Sequence, residues 1–251
     1  VVKSDIMSMG YLAGWVIEEL HDVSQEMALR KMTSEGIEFL KQLLADIKKD
    51  KAERIEKLTA SVSKTSISGL YKIISPTKGD ARGSFREVVR FPDIELLTGY
   101  DFVGKQVNHS VSSYGTLRGL HVEPWAKLVT VISGLAMCVL LDCRPKSKTY
   151  GKTETVFLGF GETPDGQEIK GGAIFIEAGI ANSFLVLSKK LDYSYVVDDL
   201  WTPGTAMYAV NPMDPALAIP WTKYVPEDKI IRSDRDINSP SFEEFGKSVK
   251  F

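Results

Sequence analysis

Three histidines (His21, His109 and His121) and two cysteines (Cys138 and Cys143) are the side chains from which metal, thiol or proton-transfer chemistry would be built. A metal-binding barrel commonly needs several histidines and a carboxylate converging on one ion. His21 falls in a helical stretch, as a surface or packing residue, and His109 sits in an N-H-S string rather than an H-x-H pair, so a metal site is not expected. The cysteines are five residues apart in a strand-like run. An odd step points them to opposite faces, and buried free thiols in a reducing cytoplasm are expected instead of a disulfide. Gly159, Gly161 and Gly166 lie in the string GFGETPDG. A dinucleotide-binding loop would need a strand before it and a helix after it, whereas Pro164 and Asp165 predict a turn.

These residues must be positioned by two regions of different character. Residues 1–65 read as a helical extension or linker. Ile37, Leu40, Leu44 and Ile47 follow the spacing of one helix face, with Ser34 as its N-cap, and Tyr11 to Met32 repeats the pattern. Lys48 to Lys57 is highly charged, as a solvated helix surface or a linker would be. Residues 66–251 read as β-rich: short runs such as Lys127–Ser133, Ala136–Leu141, Thr155–Leu158, Ala173–Ile176, Ser183–Leu187 and Tyr193–Val197 are broken by Gly, Pro, Asp and Asn. Closely spaced strands without alternating helices predict a mainly β protein, an antiparallel sandwich or jelly-roll barrel.

The composition suits this: 251 residues, 43% hydrophobic, 25% charged, with 31 basic against 33 acidic residues and a net charge of −2. There is no basic stripe for nucleic acid, no long apolar run for a membrane span and no signal-peptide pattern at the start. Val1 in place of Met is what a processed chain, a trimmed one or the C-terminal piece of a longer polypeptide would show.

A set of ordered strings carries a more specific signal: GDARGSFRE at 79–87, QVNHSVSSYGTLRGLH at 106–121, Lys127-Leu128-Val129, VLLDCR at 139–144, AGIANSFLVLS at 178–188, DYSY at 192–195, WTPGTA, NPMDPALAIPW and Ser233–Asp236. In this order and spacing they resemble the dTDP-4-dehydrorhamnose 3,5-epimerase family over about residues 70–240. The resemblance implies a cupin jelly roll acting as a homodimer without a cofactor on a nucleotide-diphosphate sugar. The reaction inverts carbons beside the ketone of a 4-keto-6-deoxyhexose. It requires a base on one face, an acid on the other and a donor for the enolate oxygen. By resemblance His121 is the base, oriented by Asp236 (with Asp234 as the alternative), Tyr195 the opposing acid and Lys127 the enolate stabiliser. Arg82, Gln106, Asn108 and Arg118 match diphosphate- and sugar-binding positions, and Glu87 one that approaches the base across the dimer interface.

The match also breaks in places. Five residues separate His121 from Lys127, where the family has a longer segment. The family's A-H-G-F string reads Ala181-Asn182-Ser183-Phe184, so the histidine expected to pair with the carboxylate at Asp142 is Asn182, which hydrogen-bonds but shuttles no proton. Leu200-Trp201 replaces a pair of tyrosines, leaving Trp201 to stack on the base, and Ser84 stands where phenylalanine is common. Two readings stay open: a cytoplasmic epimerase acting at one carbon or two, or a sugar-nucleotide binding or scaffolding module. A 3,4-ketoisomerase is disfavoured because R-G-L-H-V-E has no second nearby histidine. The N-terminal helices are open to an upstream domain, an oligomerisation arm or a cover for the barrel.

Overall fold

A computed structural model describes residues 34–56, 61–74, 77–205 and 207–248. The chain divides into two compact units, Val1–Lys57 and Leu58–Phe251. The helix expected within Tyr11–Met32, and His21 with it, lie outside the described residues.

In the first unit, α1 spans Ser34–Glu56, so the charged run is helical up to Glu56. Leu44, expected on the apolar face, is exposed, as are Phe39 and Leu43, and Ile47 is half-buried.

The regular structure of the second unit is mainly strand: β1 (Ser61–Lys64), β2 (Leu70–Ile74), β3 (Thr77–Asp80), β4 (Gly83–Arg86), β5 (Gln106–Ser113), β6 (Leu117–Val122), β7 (Lys127–Ser133), β8 (Leu135–Asp142), β9 (Thr153–Glu162), β10 (Glu168–Gly171), β11 (Ala173–Ile176), β12 (Ile180–Val186), β13 (Lys190–Val197) and β14 (Tyr208–Ala209). A helix α2 (Phe91–Thr98) precedes β5, and α3 (Trp221–Tyr224), α4 (Asp234–Ile237) and α5 (Phe242–Ser248) follow β14. Strand β1 pairs antiparallel with β2, so sheet structure begins N-terminal to Ser66, where the sequence changes character.

Two six-stranded sheets form the body, in the orders β1-β2-β11-β7-β13-β5 and β10-β9-β8-β12-β6-β14, with β3 and β4 as a separate hairpin. This is the mainly β architecture the short runs predict. Side chains alternating along each strand divide inside from outside. Val129, Val131 and Tyr193 from the first sheet meet Cys138, Leu140 and Phe184 from the second in one core. The outer faces are covered too. Ile94 and Phe102 pack with Leu128 and Phe175 outside the first sheet, and Trp221 and Phe245 belong to the clusters outside the second. Burial on both faces explains why β8 reads as the continuous apolar run LAMCVLL instead of alternating. Cys138 and Cys143 are free, buried thiols in two different clusters. GFGETPDG is the end of β9 and the turn into β10.

Candidate active site

Strand register decides which polar side chains share the space between the sheets. In the first sheet Tyr195 pairs with Val129 on β7 and Asn108 on β5, and Val197 pairs with Lys127 and Gln106. Val129 is an inner-core residue, so Lys127, Tyr195, Asn108 and Gln106 project inward with it. From the second sheet His121 on β6 stands opposite Asn182 on β12. Two contacts bridge the gap: Arg118 Nε donates to Ser112 Oγ at 3.2 Å, and Asn182 Nδ2 donates to the Tyr193 hydroxyl at 3.1 Å.

His121 is held by a carboxylate from the C-terminal segment. Its Nε2 lies 2.7 Å from Asp236 Oδ1, and the Asp236 side chain is 3% exposed against 26% for the imidazole. Asp234, the alternative by spacing, is exposed. The sequence S-D-R-D makes this arrangement local. Ser233 caps α4, accepting the Asp236 backbone N–H at 3.2 Å and donating to Asp236 Oδ2 at 2.9 Å. Burial pushes the Asp236 pKa up, but the His121 and Ser233 hydrogen bonds and the Gly119 backbone N–H outweigh it and hold the carboxyl below its ordinary value. With Nε2–H donated to an ionised Asp236, Nδ1 carries the free lone pair.

Gly119, in the R-G-L-H string, is required by close approach. Its φ is +117°, and a Cβ there would lie 2.6 Å from the Asn182 carbonyl oxygen and from Ser183 Cα. Gly119→Ala is expected to cost on the order of 2–3 kcal/mol, read as a lowered urea midpoint. A midpoint equal to wild type would show that this contact relaxes freely.

Lys127 is 4% exposed, an unusual place for an ammonium group. It forms an ion pair with the equally buried Glu123, and its Nζ sits 5.5 Å from the centre of the Tyr195 ring. Burial lowers the Lys127 pKa and Arg235 adds to the effect, while Glu123 opposes it. Burial and the Glu123 charge raise the Tyr195 pKa, which keeps the phenol protonated. The sequence motifs do not mark Glu123. Its one available signal is its position two residues past His121, which puts both on the same side of an extended chain.

The remaining residues separate into those near this cluster and those apart from it. Gln106 Nε2 donates to Asn108 Oδ1 at 2.8 Å, and Gln106 Oε1 accepts the Trp201 backbone N–H at 3.1 Å, which brings the exposed Trp201 to the same edge. Arg82 lies at the tip of the β3–β4 hairpin, 90% exposed and bonded to Asp80. Glu87, just past that hairpin, is exposed and bonded to Arg90. Asp142 and Asn182 do not pair. Asp142 is fully buried, with its oxygens taken by Arg144, Ser147 and Thr149, and Asn182 exchanges hydrogen bonds with Tyr193. An amide cannot draw that carboxylate toward it as an imidazolium would, and Arg144 supplies the cation. Among the described residues no three His, Cys, Asp or Glu side chains converge as metal ligands.

The family model described as dTDP-4-dehydrorhamnose 3,5-epimerase matches residues 64–244. The dTDP-4-dehydrorhamnose 3,5-epimerase of Mycobacterium tuberculosis is 32% identical over 182 residues, covering 71% of this chain and 85% of the relative. The dTDP-4-dehydro-6-deoxyglucose 3-epimerase of Streptomyces bikiniensis is 33% identical over 181 residues, covering 70% and 86%. The crystal structure of dTDP-6-deoxy-D-glucose-3,5-epimerase from Legionella pneumophila, in complex with dTDP-4-keto-L-rhamnose, superposes with a TM-score of 0.63 at 29% identity, covering 73% of this chain and 93% of that one. With a family model spanning most of its length and relatives above 30% identity, the chain belongs to the dTDP-4-dehydrorhamnose 3,5-epimerase family.

Proposed function

We propose that the chain epimerises a nucleotide-linked 4-keto-6-deoxyhexose at one or both carbons beside the ketone, in deoxysugar biosynthesis. The observation that carries this reading is the opposition across the gap. His121, tied to Asp236 at 2.7 Å, belongs to one sheet, and Tyr195 with Lys127 belongs to the other. Inversion at carbon needs a base on one face of the ring and an acid on the opposite face. His121 Nδ1 takes the proton α to the C4 ketone, and the electron pair of the broken C–H bond moves into the enolate. The Lys127 ammonium stabilises the enolate oxygen. Tyr195 then returns a proton to the same carbon from the other side, regenerating the ketone with inverted configuration.

Arg118, Gln106 and Asn108 bind the sugar diphosphate, and Trp201 stacks on the base. Arg82 and Glu87 serve from the hairpin in a homodimer. Support for the homodimer is a sheet surface with its pattern reversed: outward-facing Val107 and Val111 on β5, the last strand of its sheet, are exposed, and so is Phe85 on the hairpin. A cytoplasmic setting is supported by two buried, unpaired thiols, and none of the described helices is long and apolar enough to cross a membrane.

The test is deuterium incorporation from heavy water into dTDP-4-keto-6-deoxyglucose, read by proton NMR. Exchange at both flanking carbons identifies a double epimerase, and exchange at one identifies a single-site enzyme. Binding of the nucleotide sugar without exchange at either carbon would overturn the reading in favour of a binding module.

A further inference from the structure

Glu123 and Lys127 bracket the short segment that joins the His121 strand to β7, with Pro124, Trp125 and Ala126 between them. Glu123 is 6% exposed and Lys127 4%. One carboxylate oxygen, Oε2, takes the Lys127 ammonium and also accepts the Trp125 indole N–H at 2.7 Å. The indole thus fixes the carboxylate, and the carboxylate fixes the ammonium. We propose that Glu123 is a positioning residue of the epimerase site, holding Lys127 Nζ in register with the ketone oxygen and supplying its counter-charge.

The proposal rests on the functional reading above. A buried amine without a counter-charge sheds its proton, and a neutral amine is a poor stabiliser of an enolate. The groups facing Lys127 are Glu123 from its own connection, the Tyr195 ring from β13 and Arg235 from α4. Of these, Glu123 alone is an anion and Arg235 works against the charge. An ammonium has three protons. Glu123 occupies one direction and leaves the others for the ketone oxygen, so the ion pair need not break when substrate enters. The short connection serves the same end, because it keeps the carboxylate within reach of both His121's strand and Lys127.

The experiment uses the full chain with lysine labelled with 13C at Cε, wild type against Glu123→Gln and Glu123→Asp, with the Lys127 resonance assigned by its loss in Lys127→Met. In Glu123→Gln the amide keeps size and hydrogen bonding but not charge. Lys127 is then expected to titrate at least one pH unit lower than in wild type, about a tenfold rise in acid dissociation. The alkaline limb of kcat is expected to move down with it, with KM held within about twofold. Glu123→Asp retains the charge at shorter reach and is expected to titrate between the two, so it supplies the answer if the amide variant does not fold. A Lys127 titration unchanged in the variants overturns the proposal. Wild-type protein that fails to exchange substrate protons would overturn the functional reading and this proposal with it, whereas exchange by wild type with an unchanged Lys127 titration overturns this proposal alone.

Discussion

His121→Ala is expected to lower the rate of substrate proton exchange by about 10³-fold, within the span usual for a general acid–base group. The imidazole is the one group of the inner cluster that is partly exposed, ring-shaped and tied to a buried carboxylate. With Nε2 committed to Asp236, Nδ1 is the ring nitrogen left to take the substrate proton. Affinity for the nucleotide diphosphate should stay within a few-fold, because the groups proposed to hold it are elsewhere. Asp236→Asn is the companion variant. It leaves the ring near its place but offers it an amide in place of a carboxylate, so kcat should fall with little change in KM. Exchange by His121→Ala at a wild-type rate, with the variant folded, would remove the histidine from the mechanism. Single-turnover exchange followed by mass spectrometry separates this from slow product release.

Lys127→Met is expected to reduce kcat by about 10²–10³-fold, the range found when one preorganised donor is taken from a developing oxyanion. The same change strips Glu123 of its partner. A carboxylate left buried and uncompensated typically costs about 3–5 kcal/mol, so the single variant should also unfold at markedly lower urea concentration. The double variant Lys127→Met/Glu123→Gln separates the two effects. Stability is expected to return, because the charge is removed together with its partner, while activity stays low because the ammonium is still missing. A double variant that regains both would mean that Lys127 contributes only to folding. A single variant as stable as wild type would mean that the pair is far more hydrated than its burial implies.

Much of the β architecture was legible because strand signals are local. The run Lys127–Ser133 is β7 residue for residue, and Ala173–Ile176 is β11. Their β-branched content and flanking Gly and Pro need no tertiary context to be read. Strand Ser61–Lys64 is less apparent. Its four residues, SVSK, carry one apolar side chain, and only pairing with β2 makes them a strand. Leu44 shows the converse, since its spacing places it on an apolar helix face and the structure leaves it exposed.

The same division holds for the site. Ordered motifs named His121, Asp236, Lys127 and Tyr195 by type and position. Capping by Ser233 then decides between Asp234 and Asp236, because only the third residue of that turn is carried back toward His121. Spacing along the chain could not separate two carboxylates two residues apart. Nor could it reveal that Asp142 is saturated by Arg144, Ser147 and Thr149, or that Glu123 is the counter-charge of Lys127. Residue identity and strand period are written locally and survive in the linear order. Which charges share a dry interior depends on sheet register and on contacts such as the 115-residue span from His121 to Asp236, which exist only once the two sheets have closed.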